Sequence, residues 1–125
     1  MRKQLLLIFL SVALLAGCTC NSGSGGLLSG NAPVLRGIYS FGPEVSTFTD
    51  CRNGREYWVT DSIAKLEDAY DHLGFERPYE PVYVELRGRI KISTPNGPEA
   101  NYDSTVIVSE MLKIDRNIPP DCSTK

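Results

Sequence analysis

"PVYVELRGRIKI", residues 81–92, is the stretch on which the fold turns. Val82, Val84, Leu86, Gly88, Ile90 and Ile92 fall on one side of a period-two alternation, and Tyr83, Glu85, Arg87, Arg89 and Lys91 fall on the other. Such a pattern describes a long strand with one buried and one solvated face. Gly88 interrupts the inward row, where a missing side chain relieves crowding and lets a closing sheet bend.

Working outward, "YDSTVIVSEMLKI" (102–114) is a second long strand, with an imperfect alternation that suggests a bulge. Three shorter strands precede the pair: "VLRGIYSF" from Val34, "EVSTFTD" from Glu44 and "REYWVT" from Arg55. Asn53-Gly54 between the last two is a hairpin dipeptide, because both residues tolerate positive φ. "SIAKLEDAYDHLG" (62–74) places Ile63, Leu66, Tyr70 and Leu73 on one helical stripe, with Asp61 or Ser62 to cap its start and Gly74 to end it. Three strands, one helix and two strands predict a mostly-β chain: a small five-stranded OB-like barrel, curved and antiparallel, with the helix between strands 3 and 4. An α+β sandwich with the helix on one face is the competing arrangement. "STPNGPE" (93–99) is an exposed loop between the last strands.

The chain begins with Arg2 and Lys3, continues through an apolar run and ends that run in Leu15-Ala16-Gly17-Cys18. A basic start followed by a short apolar core and small residues is an export signal. The last four residues resemble the lipobox of bacterial lipoproteins, whose cysteine is acylated, so Cys18 is the expected lipid attachment point and 1–17 the signal peptide. Thr19 after it, by resemblance to enterobacterial sorting rules, favours the outer membrane, with the folded part facing the periplasm. Loss of Arg2 and Lys3 takes the formal net charge from -2 to -4, which excludes a nucleic-acid footprint. Residues 18–33, with "NSGSGG" at their centre, are expected to form a flexible tether with a reach of roughly 20–25 Å. Residues 34–122 form the folded domain and 123–125 a tail.

Four cysteines in an exported chain favour disulfides over a metal cluster. Cys51 follows the second strand and Cys122 the last, so pairing them would staple the C-terminus to the barrel. A loop of about 70 residues closed this way stabilises by roughly 4 kcal/mol in the chain-entropy account. Cys20 stays without an assignment, and a Cys20 to Cys51 bridge would be the competing scheme.

Chemistry is sparse. His72 is the only histidine, and the chain has no H-E-x-x-H, G-x-S-x-G, C-x-x-C or phosphate-binding loop, so neither catalytic residues nor a metal site nor a cofactor is expected. Asp50, Glu56 and Asp61 are carboxylates that folding could bring together. The residues suited to holding a partner are Tyr57, Trp58, Tyr83, Arg87 and Arg89, aromatic or basic groups on the third and fourth strands.

"GIYSF", "FTDCRNGREYWV", "KLEDAYDHLG" and "PVYVELRGRI", closed by Cys122, resemble the C-terminal OB domain of the NlpE family, outer-membrane lipoproteins linked to copper resistance and activation of the Cpx envelope-stress pathway. The pieces carrying the likeness are Phe48, Asp50, Cys51 and Gly54, then Leu66, Glu67, Ala69 and Tyr70, then Leu86, Gly88, Arg89 and Ile90. The resemblance implies a disulfide between the corresponding cysteines. Family members carry a second, N-terminal barrel with a C-x-x-C motif, which a tether replaces here, so copper handling and kinase activation do not transfer with the likeness. Two functions follow: a non-enzymatic, membrane-tethered interaction or accessory module for an envelope protein, peptide or glycan, or a small structural or stress-related lipoprotein with no private ligand. The family likeness alone would add copper homeostasis.

Overall fold

The computed structural model describes residues 32–123, and the readings of the signal peptide, Cys18, Cys20 and most of the tether lie outside them. Five strands, β1 (Val34–Phe41), β2 (Ser46–Asp50), β3 (Glu56–Asp61), β4 (Val82–Ile92) and β5 (Ser104–Asp115), close into a barrel in the order β1-β2-β3-β5-β4. One helix, α1 (Lys65–Asp71), lies between β3 and β4, and a 3-10 turn, Pro120–Cys122, ends the described chain. This is the mostly-β, five-stranded architecture expected. Four of the five strand pairings are antiparallel, but β3 runs parallel to β5, as Trp58 opposite Thr105 and Asp61 opposite Val108 show. A parallel pair needs a crossover, and α1 with β4 supplies it.

Inside, Phe48 pairs across the ladders with Tyr39 on β1 and Tyr57 on β3, and Leu35, Val59, Val84, Leu86, Val106 and Val108 complete the core with Leu66 and Tyr70 of α1. The fourth strand departs from its periodicity at one end. Ile90 is 45% and Ile92 83% exposed, although both share the inward side with Leu86. The ladder to β1 stops at Val34 opposite Arg87, so β4 runs on past the barrel's rim and its last inward residues have no core beneath them. Two register shifts between β4 and β5 leave Leu112 and Ser109 as extra residues on β5, the irregularity its sequence suggested. They add bend and twist where one strand must serve two neighbours. A Cβ at Gly88 would stand 2.5 Å from the Ile107 carbonyl oxygen, which is why the inward row is broken there.

The helix is shorter than its stripe. Ala64 takes a left-handed conformation at the start, and the cap comes from Asp61, whose Oδ2 accepts from Leu66 N at 2.8 Å and Glu67 N at 3.1 Å. A side chain from the end of β3 thus fixes the direction of the helix. Gly74 has positive φ, as its stop role requires, and in the β2–β3 turn only Gly54, not Asn53, does. That turn is tied instead by Asp50. Arg52 donates to it from backbone N at 2.7 Å, from Nε at 3.1 Å and from Nη2 at 2.7 Å, and Gly54 N donates to the Asp50 carbonyl at 2.8 Å. Next to it Cys51 is bridged to Cys122, with the Cα atoms 4.5 Å apart.

Gly88→Ala is expected to lower stability by about 1–3 kcal/mol, because backbone must move to admit the methyl group; a urea midpoint equal to that of the parent chain would refute the close-approach argument. The Arg52 guanidinium, by hydrogen bonding first, holds the Asp50 carboxyl below its usual range. A depressed folded pKa contributes stability above the unfolded value of about 4, lost as pH falls through the folded value. Asp50→Asn should therefore weaken the fold at pH 7 and flatten the acid limb of stability against pH, measured by chemical denaturation from neutral pH downward.

Candidate functional site

Alternation along β3 sends Tyr57 and Val59 into the core and Trp58 and Thr60 outward. The ladders then align outward residues in two rows: Trp58, Thr105 and Lys91, and Thr60, Ile107 and Arg89. Strands lie about 4.8 Å apart, so each row spans roughly 10 Å of one surface. Tyr102, in the β4–β5 connection, brings its ring centroid to 5.7 Å from that of Trp58 at an interplanar angle of 52°. Thr105 is fully buried in this outer layer, its hydroxyl 2.8 Å from that of Ser93. Burial, then the nearby Glu56 carboxylate, pushes the Tyr102 phenol up. Among the described residues, neither Arg89 nor Lys91 has a carboxylate within ion-pair distance. An aromatic pair beside two cations that are in no direct ion pair can stack on a planar or sugar-like face while drawing in negative charge.

Of the five residues named from sequence, Trp58 and Arg89 lie on this face. Tyr57 does not: it is 6% exposed, with its ring 6.4 Å from that of Phe48, because β3 turns that side of its alternation into the barrel. Tyr83 is also 6% exposed. It points outward as expected, but its hydroxyl donates to Glu85 at 2.8 Å, and the Lys113 ammonium lies 5.7 Å from its ring centre. The C-terminal segment passes beside this layer, where Ile118 and Ser123 share a crevice with Ile38, Thr49 and Pro81. Arg87 is engaged, pairing with Glu110 at 3.1 Å and donating to the Ala32 carbonyl at 3.2 Å. Tyr102 and Thr60 were missed. Their membership depends on the β3–β5 pairing, and the only local signal was aromatic character just before a strand.

The other polar candidates have structural partners. Asp50 binds Arg52, Asp61 caps α1 and Glu56 is exposed, so the three carboxylates do not converge. His72, at the end of α1, has Nδ1 2.6 Å from the Asp68 carbonyl oxygen and faces solvent. Among the described residues no group of three or more His, Cys, Asp or Glu is placed to hold a metal ion.

No curated protein matches the chain. Among solved structures, the crystal structure of the Cpx pathway activator NlpE from Escherichia coli superposes with a TM-score of 0.56 at 24% identity, covering 75% of this chain and 44% of that one. At that identity the likeness shows the OB fold, and the chain matches less than half the length of that protein. The NlpE C-terminal OB domain matches over residues 29–123, which takes in every strand, the helix, both bridged cysteines and the Trp58 face. The chain belongs to the NlpE C-terminal OB domain family.

Proposed function

We propose that the protein is a non-enzymatic binding module, tethered through an acylated Cys18 to the outer membrane and facing the periplasm, which docks an envelope protein, peptide or glycan. The docking surface is the outer face of β3, β5 and β4. The observation that carries this reading is the Trp58–Tyr102 pair flanked by Arg89 and Lys91, neither of which is in an ion pair among the described residues. OB folds bind ligands on the face of strands 2 and 3 and on the β4–β5 connection, and Trp58 and Tyr102 occupy two of those positions. Aromatic and arginine residues are the types that most often carry the binding energy of an interface. A part in the envelope stress response is supported through the related Cpx pathway activator, of which the chain matches 44%.

A second reading, a structural or stress-related lipoprotein without a private ligand, is favoured by one observation. Trp58 is half-buried and helps to cover Thr105, so part of its apolar surface is already used within the barrel.

A photoactivatable residue at Thr60, Arg89 or Lys91 in the full-length protein in cells is expected to trap one specific product, which the same residue at Arg36 does not trap. Trp58→Ala should reduce that yield at least severalfold while leaving the barrel folded; no specific product from the three positions would favour the second reading. For the anchor, mass spectrometry of the intact protein is expected to show a mature chain that begins at Cys18 and carries added acyl mass, and a different N-terminus or no added mass would argue against acylation as the tether.

A further inference from the structure

On another part of the barrel, the start of the β1–β2 turn and the loop after α1 enclose a cleft of about 550 Å³. That is within the usual range for a ligand site. Its floor is aromatic. Phe41 and Phe75 both contact the Tyr70 ring, with centroids 5.8 Å and 5.4 Å away. Tyr70 is held from below by a hydrogen bond of 2.8 Å from its hydroxyl to the Glu80 carbonyl.

The walls are fixed. Tyr79 has φ of 66°, a rare conformation for a bulky side chain. There its N donates to the Phe41 carbonyl at 2.9 Å, its hydroxyl accepts from Glu44 N at 3.3 Å, and its ring lies against Gly42 where no Cβ would fit. The segment after α1 is thereby pinned to the β1–β2 turn, and the cleft between them keeps its width.

Its rim carries Asp71, Glu76 and Arg77, and with Arg77 turned to Glu80 at 3.6 Å its balance is negative. Neither Asp71 nor Glu76 has a cation within ion-pair distance among the described residues. Asp71 ends α1, whose last turn carries no basic residue, so its charge sits unfavourably at the negative end of the helix dipole. Glu67 on the same helix is pushed up, by burial first and then by Asp61, Asp71 and Asp68, which reports the crowding of negative charge there. The nearby cations are already engaged. Arg77 pairs with Glu80 at 3.6 Å, and the Arg116 guanidinium lies over the Phe75 ring, 4.5 Å from its centre. That last contact shows that one ring of the floor accepts a guanidinium on its face.

We infer that this cleft is a second docking site, which takes a peptide segment of a partner protein presenting an apolar side chain next to a lysine or arginine. The apolar group enters the floor between Phe41, Tyr70 and Phe75, and the cation answers Asp71 and Glu76. This site is separate from the Trp58 face, which has the opposite charge and would select a different part of a partner.

The test is an NMR titration of isotope-labelled full-length protein in detergent micelles with three blocked tetrapeptides, Ala-Phe-Arg-Ala, Ala-Phe-Glu-Ala and Ala-Ala-Arg-Ala. The first is expected to shift the amide signals of Gly42, Asp71, Phe75 and Glu76 and to leave Thr60 and Lys91 in place. The other two should bind at least about fivefold more weakly, as should the first to an Asp71→Asn, Glu76→Gln variant whose spectrum keeps its dispersion. Equal binding of the glutamate peptide, undiminished binding to the variant, or no shift at the cleft at millimolar peptide would overturn the inference. Shifts confined to Thr60 and Lys91 would overturn it too, and would assign the cationic peptide to the other face.

Discussion

The structure depends on a close approach at Gly37. This residue pairs on one side with Asp50 of β2 and on the other with Val84 of β4, so it sits where the first strand closes the barrel. The space its side chain would occupy belongs to the Phe48 ring and the Thr49 carbonyl. A ring laid over a bare backbone lets a small barrel be filled by few side chains, because close packing leaves no room for both. Tyr39 and Tyr57 then flank Phe48 in one cross-strand row, and the aliphatic residues of β4 and β5 close the other wall.

Both candidate surfaces follow from how that closure is achieved. β1 is shorter than β4, so beyond Arg87 the fourth strand has a neighbour only in β5. Arg89 and Lys91 therefore lie on a stretch that β1 does not cover, Lys91 in line with Trp58 across β5 and Arg89 with Thr60. At the aromatic cleft, Asp61 caps α1 from the end of β3, and the chain returning to β4 is held to the first turn by Tyr79. The sites differ in sign: two cations beside an aromatic pair in one, two carboxylates above an aromatic floor in the other. A single partner with an unevenly charged surface would be oriented by the two together.

Much of the architecture was legible locally. Period two in residues 82–88, the stripe of Leu66 and Tyr70, and Gly54 and Gly74 each express a short-range rule, and each appears in the fold. What local pattern could not carry was the finite length of neighbouring strands. Ile90 and Ile92 keep the alternation but lose the core, and Tyr83 keeps its outward direction yet lies buried. The same limit governs the site. Trp58 and Arg89 could be named as chemically suited, whereas the place of Tyr102 and Thr60 beside them depends on a parallel pairing between segments more than 40 residues apart. Arg87, one step along the same wet face as Arg89, is neutralised by Glu110 only because of a particular register.

That parallel pairing also sets an order in time. Of the five barrel strands β5 is made last, and it is the neighbour of both β3 and β4, so a growing chain has no closed barrel until about residue 115 is free. Non-local strand pairing is slow to form, since distant segments must meet before any contact rewards them. A barrel whose keystone is made after the four strands it joins stays open until all five are available.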